Sequence, residues 1–181
     1  MKKSISMMFA AVAAAVHSLG AYASDRLELY MAWCGLALYA WTGNVLPNSF
    51  KNEILLGTHV LGTDSLKVAL YDNVDTPAVG DTVYSATNEL ATAGGYTQNS
   101  KAVTVAATFP KLVNNTAVVD FDDVSWTSAT FTAYGCKIYN SSKSNKLLCM
   151  LWFNGAKTVS SGTFTIVFPV GDDTTGTIRI A

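Results

Sequence analysis

From residue 65 onward, apolar and polar positions alternate with a period of two, and the 3.6-residue period of an amphipathic helix is absent. Candidate strands are residues 65–71, 101–106, 117–121, 130–139, 147–153, 163–168 and 177–181. Phe164, Ile166 and Phe168 alternate with Thr163, Thr165 and Val167, the pattern of a half-buried strand. Ala117, Val119 and Phe121 are expected on one face of their strand, with Val118 and Asp120 on the other. The run Leu147-Leu148-Cys149-Met150-Leu151-Trp152-Phe153 does not alternate, which predicts a strand covered on both faces. Turn signals separate the runs: Asp72-Asn73, Gly94-Gly95, Asn114-Asn115, Asn140-Ser141-Ser142, Asn154-Gly155, Ser161-Gly162 and Gly171-Asp172-Asp173. Residues 74–100 lack apolar periodicity and read as a long loop, with at most short pieces of strand.

One helix stands before the strands. In Phe50-Lys51-Asn52-Glu53-Ile54-Leu55-Leu56-Gly57, Phe50 and Ile54 are four apart and share a face, with Leu55 at its border. Asn48 or Ser49 is the expected cap, and Gly57 the left-handed residue that ends the helix. The fold class is therefore all-β, an antiparallel sandwich or jelly-roll-like packing with one short N-terminal helix. Strands do not alternate with long helices, which argues against an α/β enzyme fold.

The amino end reads differently. Lys2 and Lys3 precede an uncharged, Ala-rich apolar stretch, and Ala21-Tyr22-Ala23 offers small residues for cleavage before Ser24. That is the pattern of a secretory signal, which an Ala-rich helix can imitate. Residues 29–41 form a second apolar stretch, rich in Trp and Tyr (Tyr30, Trp33, Tyr39, Trp41). It is short for a bilayer span of around 20 residues and suits a core or interface segment better than an anchor. The expected organisation is a signal-like segment at 1–23, an aromatic-rich segment at 24–48 and one β-sandwich domain at 49–181.

Composition adds a constraint on the surface. Half the 181 residues are hydrophobic but only 14% are charged, against about a quarter in an ordinary soluble domain. A surface of Thr, Ser, Asn, Ala and Gly suits packing against neighbours. The formal charge of −1 and the lack of a Lys/Arg stripe argue against nucleic-acid binding.

Candidate chemistry is sparse. Cys34, Cys136 and Cys149 form neither a CxxC pair nor a Cys/His cluster, so zinc is not expected. Cys136 and Cys149 are read as buried small hydrophobes, with a disulfide between adjacent strands as the alternative. His17 falls in the signal-like stretch, and His59, just past the helix, is read as a loop or cap residue. Asp120, Asp122 and Asp123 are the densest carboxylates, expected as solvent-facing charge at a strand end. Calcium would want the D-x-[DN]-x-[DN]-G spacing, which is absent, and Asp172-Asp173 is a weaker case still. Gly94-Gly95-Tyr96-Thr97 lacks the spacing of a phosphate loop and reads as a tight turn presenting Tyr96. Trp126 is expected to pack over one end of the core, with carbohydrate stacking as the alternative. Asn114-Asn115-Thr116 and Asn140-Ser141-Ser142 match the glycosylation sequon, which matters only in a eukaryotic secretory pathway. No catalytic, cofactor-binding or metal-ligating residue is singled out.

Several segments taken in order resemble a family of small bacteriophage virion-associated structural proteins found among head and tail genes. They are residues 50–57, 64–71, Ala86-Thr87-Asn88-Glu89-Leu90 with Gly95-Tyr96-Thr97, 119–126, 132–140 and 161–166. The resemblance implies a non-enzymatic part of a virion, decorating the capsid or associated with the tail. Its partners would be other virion proteins or copies of itself, with no cofactor. Asn88 and Glu89 are expected to fix the long loop through side-chain-to-backbone hydrogen bonds. The first 45 or so residues depart from the family, since particles assemble in the cytoplasm and a cleaved signal would conflict with that. Three resolutions stand open: a start codon assigned too far upstream (Met31 being the true start), an added anchoring segment, or an envelope protein sharing the fold. The alternative function is a secreted or periplasmic β-sandwich module binding glycan or protein, and membrane contact is expected only through the N-terminal apolar segments.

Overall fold

The structure, a computed structural model, describes residues 43–181. The signal-like stretch, His17, Cys34 and the aromatic segment up to Trp41 lie outside the described residues. The described chain is all-β, with two antiparallel sheets and one short helix before them.

Helix α1 spans Asn48–Leu55 and follows Pro47, whose fixed φ of −58° leads the chain in. Neither expected residue caps it: both lie inside the helix, and Asn48 Oδ1 instead accepts a hydrogen bond from Lys51 Nζ at 3.1 Å. The other end is as expected. Gly57 is left-handed (φ 67°), its N–H reaches Ile54 O at 3.2 Å, and the Thr58 N–H reaches Glu53 O at 2.9 Å. Phe50 is buried and Ile54 half-buried, while Leu55, one position on, turns away and is 86% exposed.

The larger sheet has strand order β2-β1-β5-β6, from β1 (Leu66–Tyr71), β2 (Ala102–Val103), β5 (Val124–Asn140) and β6 (Lys146–Ile166). The smaller has order β3-β4-β7, from β3 (Lys111–Val113), β4 (Thr116–Val119) and β7 (Ile178–Ile180). The bridge from Val105 to Phe121 links the chain beyond β2 to the chain beyond β4.

The β5–β6 hairpin corrects the expected segmentation. The strands anticipated at 147–153 and 163–168 are joined in one 21-residue strand, except for the last two residues, and β5 begins six residues before position 130. The supposed turns Asn154-Gly155 and Ser161-Gly162 are bulges. Between the pairs Ala133↔Lys157 and Gly135↔Trp152, Tyr134 alone faces residues 153–156. Asn154, Gly155 and Ser161 all have positive φ, which a bulge requires as much as a turn does.

Parity along β1 explains the continuous apolar run. Val68 and Leu70 enter the main core with Phe50, Val103, Ile138 and Leu148. Ala69 and Tyr71 face the other side with Tyr139, Leu147 and Met150, beneath Tyr84 and Val45. Residues 147–150 are therefore covered on both faces, as their pattern implied. In β4 both faces are covered from Val118 on, since Val118 is fully buried where the chain returns at Gly176 and Val119 lies in the main core.

Candidate functional site

The carboxylates expected to face solvent divide by role. Asp120 is buried, with Oδ1 accepting the Phe121 N–H (2.8 Å) and Oδ2 the Gly171 N–H (3.0 Å). Asp123 Oδ1 accepts the Phe168 N–H at 3.0 Å. Both therefore tie the chain after β6 back to the β4–β5 junction. Asp122 and Asp123 are exposed, as expected of strand-end charge. Trp126 is buried among Tyr96, Phe131 and Phe164, with ring centroids 5.9–6.5 Å away, so its indole offers no open platform for a sugar. Asp172, in its turn, accepts hydrogen bonds from the Thr175 N–H and from the hydroxyl and N–H of Thr174, which hold its carboxyl down at about 2.

His59 is the centre of a buried polar chain. Its Nε2 lies 3.0 Å from Glu53 Oε2, and its Nδ1 lies 3.0 Å from Asn140 Nδ2. Since the amide can only donate, Nδ1 accepts and Nε2–H donates to Glu53. Lys146 closes on the other Glu53 oxygen, and Asn140 also donates to Asp64 Oδ2 at 2.6 Å. Burial alone would raise the carboxyls of Glu53 and Asp64. Hydrogen bonds from Lys146 and His59 to the first, and from the Val60 N–H and Asn140 to the second, outweigh it and hold both below the usual range. A carboxylate–imidazole pair is the currency of general-base catalysis, but this imidazole is fully enclosed and both its nitrogens are engaged, so it stands as a cap at the helix end. Asn140, read as a turn residue and sequon, is fully buried and caps the turn at Ser141–Lys143 by accepting the Ser142 N–H.

A second constellation holds the long loop. Glu89 Oε1 accepts the Tyr96 hydroxyl (2.6 Å) and the Asn99 N–H (2.9 Å), while Oε2 accepts the Tyr84 hydroxyl. Glu89 thus makes the expected side-chain-to-backbone bond. Tyr96 is not presented to solvent by its turn but buried, its hydroxyl accepting the Leu70 N–H at 2.9 Å. The reason lies in β2, which pairs only with Leu66 and Lys67 of β1 and leaves the rest of that edge to be completed by the loop. Residues 88–90 do so, with the Tyr71–Glu89 bridge and hydrogen bonds at Leu70 and Asp72. Burial and the nearby Glu89 charge push the phenol of Tyr96 well up.

A third pair was not read from sequence. Lys137, on β5, reaches Asp75 Oδ1 at 3.1 Å and sits 4.5 Å from the centre of the Tyr71 ring. The partners are 62 positions apart, and no local signal joins them.

Cys136 and Cys149 are free and buried on neighbouring strands, offset so that Cys136 faces Leu151. Burial raises the Cys149 thiol to about 12 and the Cys136 thiol well above its ordinary value. Among the described residues, no group of three or more His, Cys, Asp or Glu side chains is arranged to hold a metal ion, and no helix is long and apolar enough to cross a membrane.

The surface carries unsatisfied apolar area. Leu112, Ala117 and Ile180 stand in one row across β3, β4 and β7, with Leu112 70% and Ile180 52% exposed. Beside them an apolar groove of about 190 Å³ runs between α1 and the small sheet, lined by Phe50, Ile54, Leu61, Val119 and Ile178 among others.

No family model, no curated protein and no solved structure matches this chain. Its function is therefore argued from the geometry and from the resemblance in its sequence.

Proposed function

We propose that the protein is a non-enzymatic structural component of a bacteriophage particle, docking in many copies onto the capsid or tail. The observation that carries the reading is the contrast between interior and exterior. The carboxylates and histidine best suited to chemistry cap turns and loops inside the fold. Large apolar side chains such as Leu55, Leu112 and Ile180 are left outside. The low overall charge and the sequence resemblance noted above, over about residues 50–181, favour the same reading. Each copy would contribute a modest, nearly uncharged contact, and the repeat of the particle would supply the avidity. Its partners are other particle proteins or further copies of itself.

The test is to purify particles from a lysate of the host by density gradient and quantify this chain against the major capsid protein by mass spectrometry. Co-sedimentation at a fixed ratio of many copies per particle is expected. Absence from particles, with a cell-envelope species lacking residues 1–23, would replace the proposal with an exported β-sandwich module, the reading that the signal-like N-terminal pattern favours.

A further inference from the structure

Among the described residues, Lys137 and Asp75 form the one lysine–carboxylate pair in which both side chains are nearly enclosed, at 7% and 8% exposed. Lys143 and Lys146, the lysines of the other pairs, are 36% and 34% exposed. Lys137 lies on β5 opposite Ala69 of β1 and Met150 of β6, and its nitrogen sits 4.5 Å from the centre of the Tyr71 ring. That nitrogen stands 3.1 Å from Asp75 Oδ1 and 3.0 Å from Oδ2, an ion pair shielded from solvent. A nitrogen equally close to both oxygens lies against the carbon that joins them, within the separation of about 3–3.5 Å at which reacting atoms meet.

Three features favour a covalent bond over a lasting ionic contact. An ion pair held out of water carries a desolvation penalty that a neutral amide does not, and the same shielding keeps water from reopening the bond. The carboxyl must be a neutral acid to react, because a carboxylate is a poor electrophile. Burial raises Asp75 above its ordinary value, the bond from Lys137 offsets this only in part, and the nearby Asp81 and Asp72 charges add to it. Glu53 and Asp64, the carboxyls of the other lysine pairs, are held below theirs instead. Finally, Asp81 Oδ2 lies 3.8 Å from the Lys137 nitrogen and accepts the Ala78 N–H at 3.2 Å. It is a second carboxyl group in place to carry a proton between nitrogen and oxygen.

We propose that Lys137 and Asp75 condense to an intramolecular amide, a covalent staple between β5 and the start of the long loop. One proton passes from Nζ to the Asp75 carboxyl, leaving a neutral amine and a neutral acid. The nitrogen lone pair then attacks Cγ. Asp81 takes a proton from the nitrogen and returns it to the departing hydroxyl, which leaves as water. One C–N bond forms, one C–O bond breaks, and no oxidant or other reactant is consumed. Until the bond forms, Asp75 titrates as a free carboxyl. The staple holds whether or not the chain rides on a particle, since it rests on this pair alone.

The test follows the mass of the full chain, held folded at neutral pH and unfolded just before electrospray. A species lighter than the open chain by about 18 Da, one water, is expected to accumulate until it dominates. Tryptic mapping should then find the peptides of Asp75 and Lys137 linked, with no cleavage after Lys137. Lys137→Arg, which keeps the charge but does not condense, should hold the full mass. Because that change touches a buried pair, Asp81→Asn on the more exposed side provides a second variant, expected to fold normally and to slow the mass loss at least about tenfold. An unchanged mass in the folded, unaltered chain would overturn the proposal. So would a loss of water that maps to other residues or persists in Lys137→Arg, or an unslowed reaction in folded Asp81→Asn.

Discussion

Replacing Tyr96 with phenylalanine removes one oxygen atom and nothing else from the packing, so its cost isolates the polar closure of the long loop. That oxygen donates to the buried carboxylate of Glu89 at 2.6 Å and accepts the N–H of Leu70 at 2.9 Å. Losing a hydrogen bond to a charged acceptor costs about 1.5–3 kcal/mol, and stranding a buried N–H costs about 1–3 kcal/mol. The ring stays in place against Trp126 and Phe131, so no cavity term is added. Glu89 keeps the Tyr84 hydroxyl and the Asn99 N–H, which limits the first term. The two terms overlap, and a net loss of about 3 kcal/mol is expected. In urea the midpoint should fall by about 1.5 M at an m-value of about 2 kcal/mol/M. Native-state hydrogen exchange should show the Leu70 amide losing protection, because no strand covers it there. A loss below about 0.5 kcal/mol, or an unchanged Leu70 amide, would refute the claim that this side chain stands in for a missing strand.

Three further outcomes follow from the same geometry. Gly94→Ala places a Cβ 2.2 Å from Thr130 O at a φ of 56°, so a loss of about 2–5 kcal/mol is expected in the same denaturation assay. Glu53 and Asp64 are held below their ordinary values of 4.5 and 3.8, so the stability they contribute is complete above those values and lost as pH falls through the lower folded ones. Asp75, raised in the fold, acts in the opposite sense, contributing most below its ordinary 3.8 and losing that contribution as pH rises through its folded value. Melting temperatures between pH 2 and 6 should therefore show a shallower acid decline for Asp64→Asn and a steeper one for Asp75→Asn than for the unaltered chain. Native alkylation with iodoacetamide followed by peptide mapping should leave Cys136 and Cys149 unmodified until denaturant is added, because burial keeps both as thiols.

What the sequence disclosed was governed by local period. The half-buried alternation at Phe164–Phe168, the doubly covered run from Leu147 and the left-handed stop at Gly57 all emerge as read, since each depends on residues within a few positions. The turn signals were legible as backbone conformations but not as topology. Asn154-Gly155 demands positive φ whether the chain reverses or bulges, and only the partner strand decides which. The polar clusters were the least visible. Glu53 finds Lys146 across 93 positions and Lys137 finds Asp75 across 62, pairings that no spacing rule encodes. Within the Glu89 cluster, Tyr96 and Asn99 lie near in sequence, and there the side-chain bond to the backbone could be anticipated, though not the inward turn of the phenol.

The most direct test of the account is a particle reconstruction at side-chain resolution. The account predicts this two-sheet fold repeated over the capsid or tail, with the Leu112, Ala117 and Ile180 row covered by a neighbour and the Glu53–His59–Asn140 chain enclosed as described. A particle map without this fold, or one in which that apolar row faces solvent in every copy, would contradict it.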